Sequence, residues 1–247
     1  MKLLSKGGVC ISSMQEWLLY ASPAKKELHW KEGRSAYELA HSWLGHGQPQ
    51  MPIALTELLD SHVQLQGFEV EWAVPEYETK LDQFRGNGRN HDLIIVGTVK
   101  AKRTLVAVEA KADESFGDLV EVYEARSYKN NSRSKAPERI RQLTQAVLGD
   151  KDAEGLRYQL IHAVAGTVIE AHKQEALQAV FVICEFVPAS GKTKKAMQNE
   201  ADYQAFLKQL VGMEARKGKL IGPILLPGGG MVPADIPLYF GKIEINI

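Results

Sequence analysis

The stretch from Arg89 to Gly117, which reads RNHDLIIVGTVKAKRTLVAVEAKADESFG, decides the fold. The apolar run LIIV follows Asp92 directly, which is typical of a strand that is buried on both faces. A basic turn at 101–103 then leads to LVAVEAK at 105–111, which is apolar until Glu109. The stretch therefore predicts two strands that are joined by a short turn.

The charged side chains of these strands are expected to meet at one end of an apolar sheet. Side chains alternate along a strand, so Glu109 and Lys111 point to the same face, and Asp92 lies near Glu109 if the strands pair. Burying such charges is costly unless they pair or bind a metal. Two clustered carboxylates suit Mg²⁺, and a lysine beside it can orient or deprotonate a water or stabilise charge on a phosphate oxygen. The alternative is a weak ion pair on a solvated sheet edge, for which VAVEAKA is too apolar.

This pattern resembles the PD-(D/E)xK nuclease superfamily, in which an aspartate starts one strand of a hairpin and an (Asp/Glu)-x-Lys tripeptide ends the next. Asp92 matches the first position and Glu109-Ala110-Lys111 matches the tripeptide, whereas His91 stands where the family has a proline. The resemblance covers roughly residues 34 to 187. It implies a restriction-endonuclease-like core and a Mg²⁺ or Mn²⁺ ion held by Asp92, Glu109 and the Ala110 carbonyl. It also implies hydrolysis of phosphodiester bonds in nucleic acid, with DNA as the expected substrate and Lys111 as the residue that acts on water and transition state.

A third carboxylate is expected from the same resemblance, because nucleases of this family often add a glutamate from the helix before the sheet. We predict Glu38 for this catalytic and metal-binding role, since small alanines beside it in SAYELAHSW would let the helix approach the sheet closely. Glu57 and Glu76 are the alternatives for the third acid. Glu38 as an ordinary surface acid is the competing interpretation.

A basic segment after the second strand is the best candidate for contact with nucleic acid, since clustered lysines and arginines neutralise phosphates. Residues 121–145 carry six bases against three acids, and the bases are Arg126, Lys129, Arg133, Lys135, Arg139 and Arg141. Gln159, near the start of a later helix, is a further candidate, because related nucleases lend polar groups to the site from this helix. A solvated charged surface explains the basic residues equally well, and an ordinary position on the helix surface explains Gln159 better.

Composition places the chain among ordinary globular proteins, with 247 residues, 45% hydrophobic and 24% charged. A formal net charge of zero excludes a uniformly basic nucleic-acid-binding protein but not a local basic face. The two cysteines form no CxxC pair, which argues against a cysteine-based zinc site and favours a reducing compartment. The apolar run in MKLLSKGGVC is too short for a signal peptide, and no run is long enough to span a membrane. We therefore expect a cytoplasmic protein without a membrane partner.

The remaining periodicities predict an α/β protein with a central mixed β-sheet flanked by helices, a helical N-terminal extension and a strand-rich C-terminal tail. We expect one domain over 1–247, with the nuclease-like core at about 34–187 and a C-terminal elaboration at 188–247. Helices are predicted for MQEWLLYA, AYELAHSWLG, 53–65, 119–128, a segment after Pro137, a segment from near Asp152 to His172, and 193–215. Strands are predicted for FEVEWAV at 68–74 and AVFVICEFV at 179–187, with a polar linker between 76 and 90.

Other functions fit the sequence less well than a nuclease does. Ser190-Gly191-Lys192-Thr193 is similar to the end of a phosphate-binding loop, but Phe186 stands where that loop needs a glycine. A His-Asp doublet phosphohydrolase would carry His91 and Asp92 on a helix, not at the start of a strand. Two rivals stay open: a catalytically silent module that binds nucleic acid or a protein, and a structural or assembly protein whose carboxylates only pair with lysine. A homodimer or a protein partner is expected to supply target recognition.

Overall fold

The computed structural model describes residues 1–23, 29–84, 86–130 and 134–247. Within them the chain forms seven helices and seven strands. The helices are α1 (Met14–Tyr20), α2 (Ser35–Leu44), α3 (Ile53–Asp60), α4 (Val120–Asn130), α5 (Ala136–Leu148), α6 (Tyr158–Lys173) and α7 (Lys194–Val211). The strands are β1 (Lys2–Leu3), β2 (Glu69–Thr79), β3 (Arg89–Val99), β4 (Lys102–Lys111), β5 (Gln178–Val187), β6 (Ile221–Ile224) and β7 (Leu238–Asn246).

The described strands form one mixed sheet in the order β1-β2-β3-β4-β5-β7-β6. Strands β2, β3 and β4 pair antiparallel, whereas β4, β5 and β7 pair parallel. The short β1 runs parallel to β2 at one edge, and β6 runs antiparallel to β7 at the other. The predicted fold class, α/β with a central mixed sheet flanked by helices, is therefore confirmed.

Helices cover both faces of the sheet and separate two apolar cores. Helices α5, α6 and α7 pack on one face and α1, α2 and α3 on the other. Side-chain alternation sends Ile94 and Val96 to the first core and Leu93 and Ile95 to the second. Strand β5 is buried at every position, which is why its sequence is an uninterrupted apolar run.

Two helices have other bounds than the sequence periodicity predicts, because acidic side chains stabilise turns beside them. Helix α6 begins at Tyr158 and not near Asp152, whose carboxylate accepts the backbone N–H of Glu154 at 2.9 Å. Helix α3 ends at Asp60, and the carboxylate of Asp60 accepts the backbone N–H of Gly67 at 2.8 Å. Asp and Asn stabilise turns in this way through local side-chain bonds to the backbone.

The strands around Asp92 are longer than predicted, which changes the neighbourhood of this residue. Strand β2 continues into the first four residues of the predicted polar linker, 76–79, and pairs with β3 as far as Thr79 and Arg89. Asp92 therefore lies inside β3 and not at its first position. The β2 backbone is irregular at Glu76, whose φ of 52° lies in the left-handed region.

The C-terminal segment contributes directly to the sheet. Strand β7 lies between β5 and β6 and pairs with β5 from Ala179 and Leu238 to Val187 and Asn246. The parallel half of the sheet is thus completed by residues from the end of the chain. No helix among the described residues is both long and apolar enough to cross a membrane.

Candidate functional site

Strands β3 and β4 separate at the point where the predicted site residues lie. Their pairing ends at Leu93 and Val108, although β3 goes on pairing with β2 and β4 goes on pairing with β5. Asp92 and Glu109 are the next residues on the two strands. Asp92 Oδ2 accepts a hydrogen bond from the backbone N–H of Ala110 at 2.7 Å. Beyond the last β3–β4 pair, this N–H group of β4 is therefore bonded to a side chain of β3. This bond holds the aspartate beside the Glu-Ala-Lys tripeptide.

Glu109 is buried and lies at the centre of a cluster of hydrogen-bond donors. Its Oε1 accepts from Lys111 Nζ and from Gln159 Nε2, each at 2.6 Å. Its Oε2 pairs with the guanidinium of Arg89, which is also buried. A buried carboxylate is stable only when such donors compensate its charge. The structure thus brings together Asp92, Glu109, Ala110, Lys111 and Gln159, five of the residues that the sequence analysis selected.

The side chain of Lys111 is buried beside an acid and an aromatic ring. Its Nζ lies 5.3 Å from the centre of the Phe116 ring as well as beside Glu109. Burial lowers the pKa of Lys111, and the charges of Asp92 and Glu114 oppose this shift. A lysine with a lowered pKa releases a proton more readily than an exposed one, a property common at functional sites.

Glu76 supplies a further acid at this end of the sheet. Burial and then the charge of Asp92 raise the pKa of Glu76 to about 7, and Asn90 donates a hydrogen bond to its carboxylate. Glu76 and Asp92 are therefore close enough for their negative charges to interact. Glu76 is one of the two alternatives to Glu38 that the sequence offers as the third carboxylate of a metal site.

Glu38 lies elsewhere. It is buried on α2, and its carboxylate accepts the backbone N–H of Gly33 at 2.7 Å. It lines a cavity of about 910 Å³ whose walls contain none of Asp92, Glu109 and Lys111. The structure therefore does not bring Glu38 to the cluster around Glu109.

A cleft of about 310 Å³ opens beside the cluster, and we call it the Glu109 cleft. Its walls include Arg89, Phe116, Tyr123, Arg126, Gln159 and His162. Arg89 Nε and His162 Nδ1 are buried and have no hydrogen-bond partner among the described residues. Burial, then the charge of Arg89, lowers the pKa of His162 well below its ordinary value, so this ring is neutral at pH 7. An anionic group in the cleft would meet arginine side chains and unpaired polar atoms, but also the carboxylate of Asp118, which lines the cleft and pairs with Arg126.

The predicted basic contacts are spread over α4 and α5, and most of those in the described residues pair with acids. Arg126 lies at the Glu109 cleft, pairs with Asp118 at 2.5 Å and stacks over Tyr123. Lys129 is exposed on α4, whereas Arg133 falls outside the described residues. The other three pair with acids: Lys135 with Glu138 at 2.8 Å, Arg141 with Glu124 at 3.7 Å, and Arg139 with Asp82. Arg126 and Gln159 are the predicted contacts that line the cleft.

Arg89 belongs to the cluster but is not among the site residues predicted from the sequence. The sequence does contain an indication of its role, because Arg89 stands three positions before Asp92, and both residues lie on β3. A polar linker was predicted there, so the arginine was interpreted as part of a loop. His162 follows Gln159 by three residues on α6 and therefore shares its side of the helix.

The donor set fits a hard divalent cation only in part. Asp92, Glu76 and the Ala110 carbonyl have the oxygen chemistry that Mg²⁺ takes, and burial, followed by the charge of Asp92, raises the pKa of Glu76. Both oxygens of Glu109, in contrast, are engaged by Arg89, Lys111 and Gln159. Among the described residues, no three His, Cys, Asp or Glu side chains form a group that could hold a metal. A cation that used Glu109 would compete with Arg89 for Oε2 or with Lys111 and Gln159 for Oε1.

Comparison with known proteins gives a family but no function. No curated protein and no solved structure matches the chain. The family model DUF6946, described as a domain of unknown function, matches residues 11–247. Because this match covers nearly the whole sequence, the chain belongs to the DUF6946 family.

Proposed function

We propose that this protein is a metal-dependent nuclease that hydrolyses phosphodiester bonds of nucleic acid, with DNA as the substrate. The observation that carries the proposal is the arrangement around Glu109. The Asp92 carboxylate accepts a hydrogen bond from the backbone N–H of Ala110, the middle residue of the Glu-Ala-Lys tripeptide. Lys111 and Gln159 both donate hydrogen bonds to the Glu109 carboxylate. A cleft lined by two arginines opens beside these groups. Carboxylates, a buried lysine and an anion-binding cleft are the parts that phosphodiester hydrolysis requires.

In this proposal Asp92, Glu109 and the Ala110 carbonyl hold Mg²⁺ or Mn²⁺. Such an ion lowers the pKa of a bound water and stabilises charge on a phosphoryl oxygen. Gln159 fixes the Glu109 carboxylate through the 2.6 Å hydrogen bond from α6. Lys111 lies on the same carboxylate, and its lowered pKa suits a group that positions a water and stabilises the charge of the transition state.

Arg89 has a separate task in this proposal. In the structure its guanidinium compensates the buried charge of Glu109. A cation at Glu109 would compensate the carboxylate in place of Arg89, and the guanidinium of Arg89, whose Nε–H has no partner among the described residues, would then be available to a phosphate in the cleft. Arginine binds phosphate well because its planar donors match two oxygens at once.

The partners follow from the same site. Nucleic acid would enter along the Glu109 cleft, with Arg126 at the cleft and Lys129 exposed farther along α4. Like Arg126, the basic residues Lys135, Arg139 and Arg141 are paired with acids, so they offer less free charge for phosphate. We therefore propose that a second copy or a protein partner contributes to target recognition.

The test is cleavage by the purified chain. Supercoiled circular DNA, linear DNA and single-stranded RNA are each incubated with Mg²⁺, with Mn²⁺ and with EDTA. We expect DNA to be cut with either metal and not with EDTA, and Asp92→Asn to abolish cutting. Cutting of circular DNA indicates an endonuclease, whereas cutting of linear DNA alone indicates an exonuclease. Cleavage that persists in EDTA, or that Asp92→Asn retains, would contradict the proposal.

A catalytically silent module is the second candidate, and a specific observation favours it. Arg89, Lys111 and Gln159 already satisfy both oxygens of Glu109, and no three-ligand group occurs in the described part of the chain. A site of this kind could bind phosphate through arginine and not cut it. Saturable DNA binding without cleavage under every metal condition would support this candidate. Neither binding nor cleavage would favour a structural or assembly protein.

A further inference from the structure

A second cavity lies away from the Glu109 cleft, and we call it the Glu38 cavity. Its volume is about 910 Å³, against about 310 Å³ for the cleft. It lies between α2 and the ends of β5 and β7, and its walls include Tyr37, Glu38, His41, Met51, Phe186 and Ile245. Small-molecule sites in proteins have this size and this kind of largely apolar wall. Both parallel strands end here, which is the common position of ligand sites in α/β sheets.

One buried polar group of the Glu38 cavity is only partly satisfied. Glu38 is 5% exposed and is a wall residue of the cavity. Its Oε1 accepts the Gly33 N–H at 2.7 Å, and no described residue donates to Oε2. Oε2 is therefore open to a donor group of a ligand, and a hydrogen bond to a carboxylate is stronger than one between neutral groups. The ligand of this cavity should therefore be a donor.

Flat side chains beside this carboxylate favour a planar ligand. Tyr37 and His41 lie one helical turn apart on α2, and both line the cavity. Their ring planes are only 8° from parallel, with centres 6.2 Å apart. The edge of Trp30 packs against Tyr37 at 5.6 Å, which restricts the movement of that ring. Such fixed aromatic faces stack well on a nucleobase.

We propose that the Glu38 cavity binds a guanine base, with the base stacked on an outer face of the Tyr37–His41 ring pair and its N1–H and N2 amino groups donating to Glu38. Guanine presents these two donors side by side, as one carboxylate requires. Adenine has an acceptor, N1, in place of the N1–H, so Glu38 would repel it. The base can come from a free nucleoside or from an unpaired position of a nucleic-acid strand. This inference does not depend on the nuclease proposal, because it uses none of the groups around Glu109.

The test is isothermal titration calorimetry of the full chain, in EDTA, with guanosine, inosine and adenosine. Guanosine should bind saturably, and inosine, which lacks the N2 amino group, should bind more weakly. Adenosine should bind about 10-fold or more weakly than guanosine, since one hydrogen bond to a charged group is worth that factor. Trinucleotides TGT and TAT identify the source: TGT tighter than guanosine indicates a base in a strand, and the reverse indicates a free nucleoside.

Variants separate this site from general binding. Glu38→Gln keeps an acceptor for Gly33 but offers an amide to the base, so guanosine affinity should fall about 10-fold or more. Tyr37→Leu should weaken guanosine and inosine alike. Glu57→Gln, an exposed acid of α3 that is not in the cavity wall, is the matched control and should change nothing. Circular dichroism and thermal melting verify that each variant folds. The proposal fails if guanosine does not bind, if adenosine binds equally well, or if folded Glu38→Gln retains full affinity.

Discussion

Lys111 on β4 and Glu185 on β5 occupy paired positions of two parallel strands, and both residues are buried. Glu185 accepts hydrogen bonds from the side-chain amide of Asn199 on α7 and lies 3.4 Å from Lys242 on β7. Charged groups therefore run inward from the Glu109 cluster across the parallel half of the sheet. The pKa of Lys111 is therefore influenced by Glu185, which lies on β5, a strand that carries none of the other site residues.

The first prediction concerns this pair. The charge of Glu185 raises the pKa of Lys111 and thus opposes the lowering by burial, so Glu185→Gln should lower the pKa of Lys111 further. NMR titration of metal-free protein labelled at the lysine side chains measures it. Glu244→Gln is the control, because that acid pairs with Lys192 and Lys217. An unchanged or higher pKa in Glu185→Gln would show that Glu185 does not act on Lys111.

The second prediction concerns the pH dependence of stability. The pKa of Glu76 is about 7 in the folded protein against an ordinary value of 4.5, so the folded state binds the extra proton between these values. Stability from this group is thus fully present below pH 4.5 and is lost as the pH rises through 7. Glu76→Gln cannot lose that proton. After allowance for solvent screening, the variant should gain on the order of 1 kcal/mol over wild type at pH 8.

Urea unfolding of metal-free wild type and Glu76→Gln at pH 5, 6, 7 and 8 tests this. The difference in the free energy of unfolding should be smallest at pH 5, grow between pH 5 and 7, and level off toward pH 8. Other titrating groups cancel in the comparison because both proteins carry them. A difference that stays constant over the whole range would mean that Glu76 titrates normally.

The third prediction concerns the contact of α6 with β3. A Cβ on Gly166 would lie 3.0 Å from two ring atoms of His91 and 3.1 Å from Arg89 Cγ. Alanine is favoured over glycine in a helix by about 1 kcal/mol, but overpacking a buried contact costs about 1–3 kcal/mol. Gly166→Ala should therefore destabilise the protein by about 1 kcal/mol and displace Arg89 from Glu109.

A double-mutant cycle isolates this contact. In a His91→Ala background most of the crowding is gone, and Gly166→Ala should be neutral or stabilising there. Chemical denaturation of the four proteins gives the coupling energy. Additive effects would mean that the ring of His91 does not limit the approach of α6.

The fourth prediction concerns the third metal ligand. The structure places Glu76 beside Asp92 and places Glu38 in a different cavity, so Glu76 is now the stronger candidate. Glu76→Gln should weaken Mn²⁺ binding about 10-fold, as loss of support for a metal site does. Glu38→Gln should leave the affinity for Mn²⁺ unchanged. Calorimetry on both variants decides, and the reverse result would restore Glu38 to the site and remove it from the guanine proposal.

Local periodicity was enough to predict the elements that carry the site. The apolar runs after Asp92 and before Glu109 are typical of buried strands. Side-chain alternation along the second strand then predicts that Glu109 and Lys111 point to the same face of the sheet. These features are encoded within about 20 consecutive residues, so sequence alone predicts them.

Features that depend on distant pairing could not be predicted in this way. Arg89 reaches Glu109 because β2 extends and draws the polar segment before Asp92 into the sheet. The neighbour of Lys111, Glu185, is set by the parallel register of β4 and β5, which are joined by three helices. Glu38 was chosen for its small neighbours, a criterion that does not say toward which cavity a helical side chain points.

Single-turnover cleavage by Lys111→Ala tests the nuclease proposal most directly. A lysine that stabilises the transition state contributes to rate and not to substrate binding. With saturating enzyme and Mg²⁺, Lys111→Ala should cut linear or circular DNA at least about 100-fold more slowly than wild type. Its DNA affinity, measured by fluorescence anisotropy in Ca²⁺, should stay within about threefold. Lys208→Ala, an exposed lysine of α7, should cut as wild type does. Wild-type cleavage that Lys111→Ala retains in full would contradict the proposed role of the Glu109 cluster.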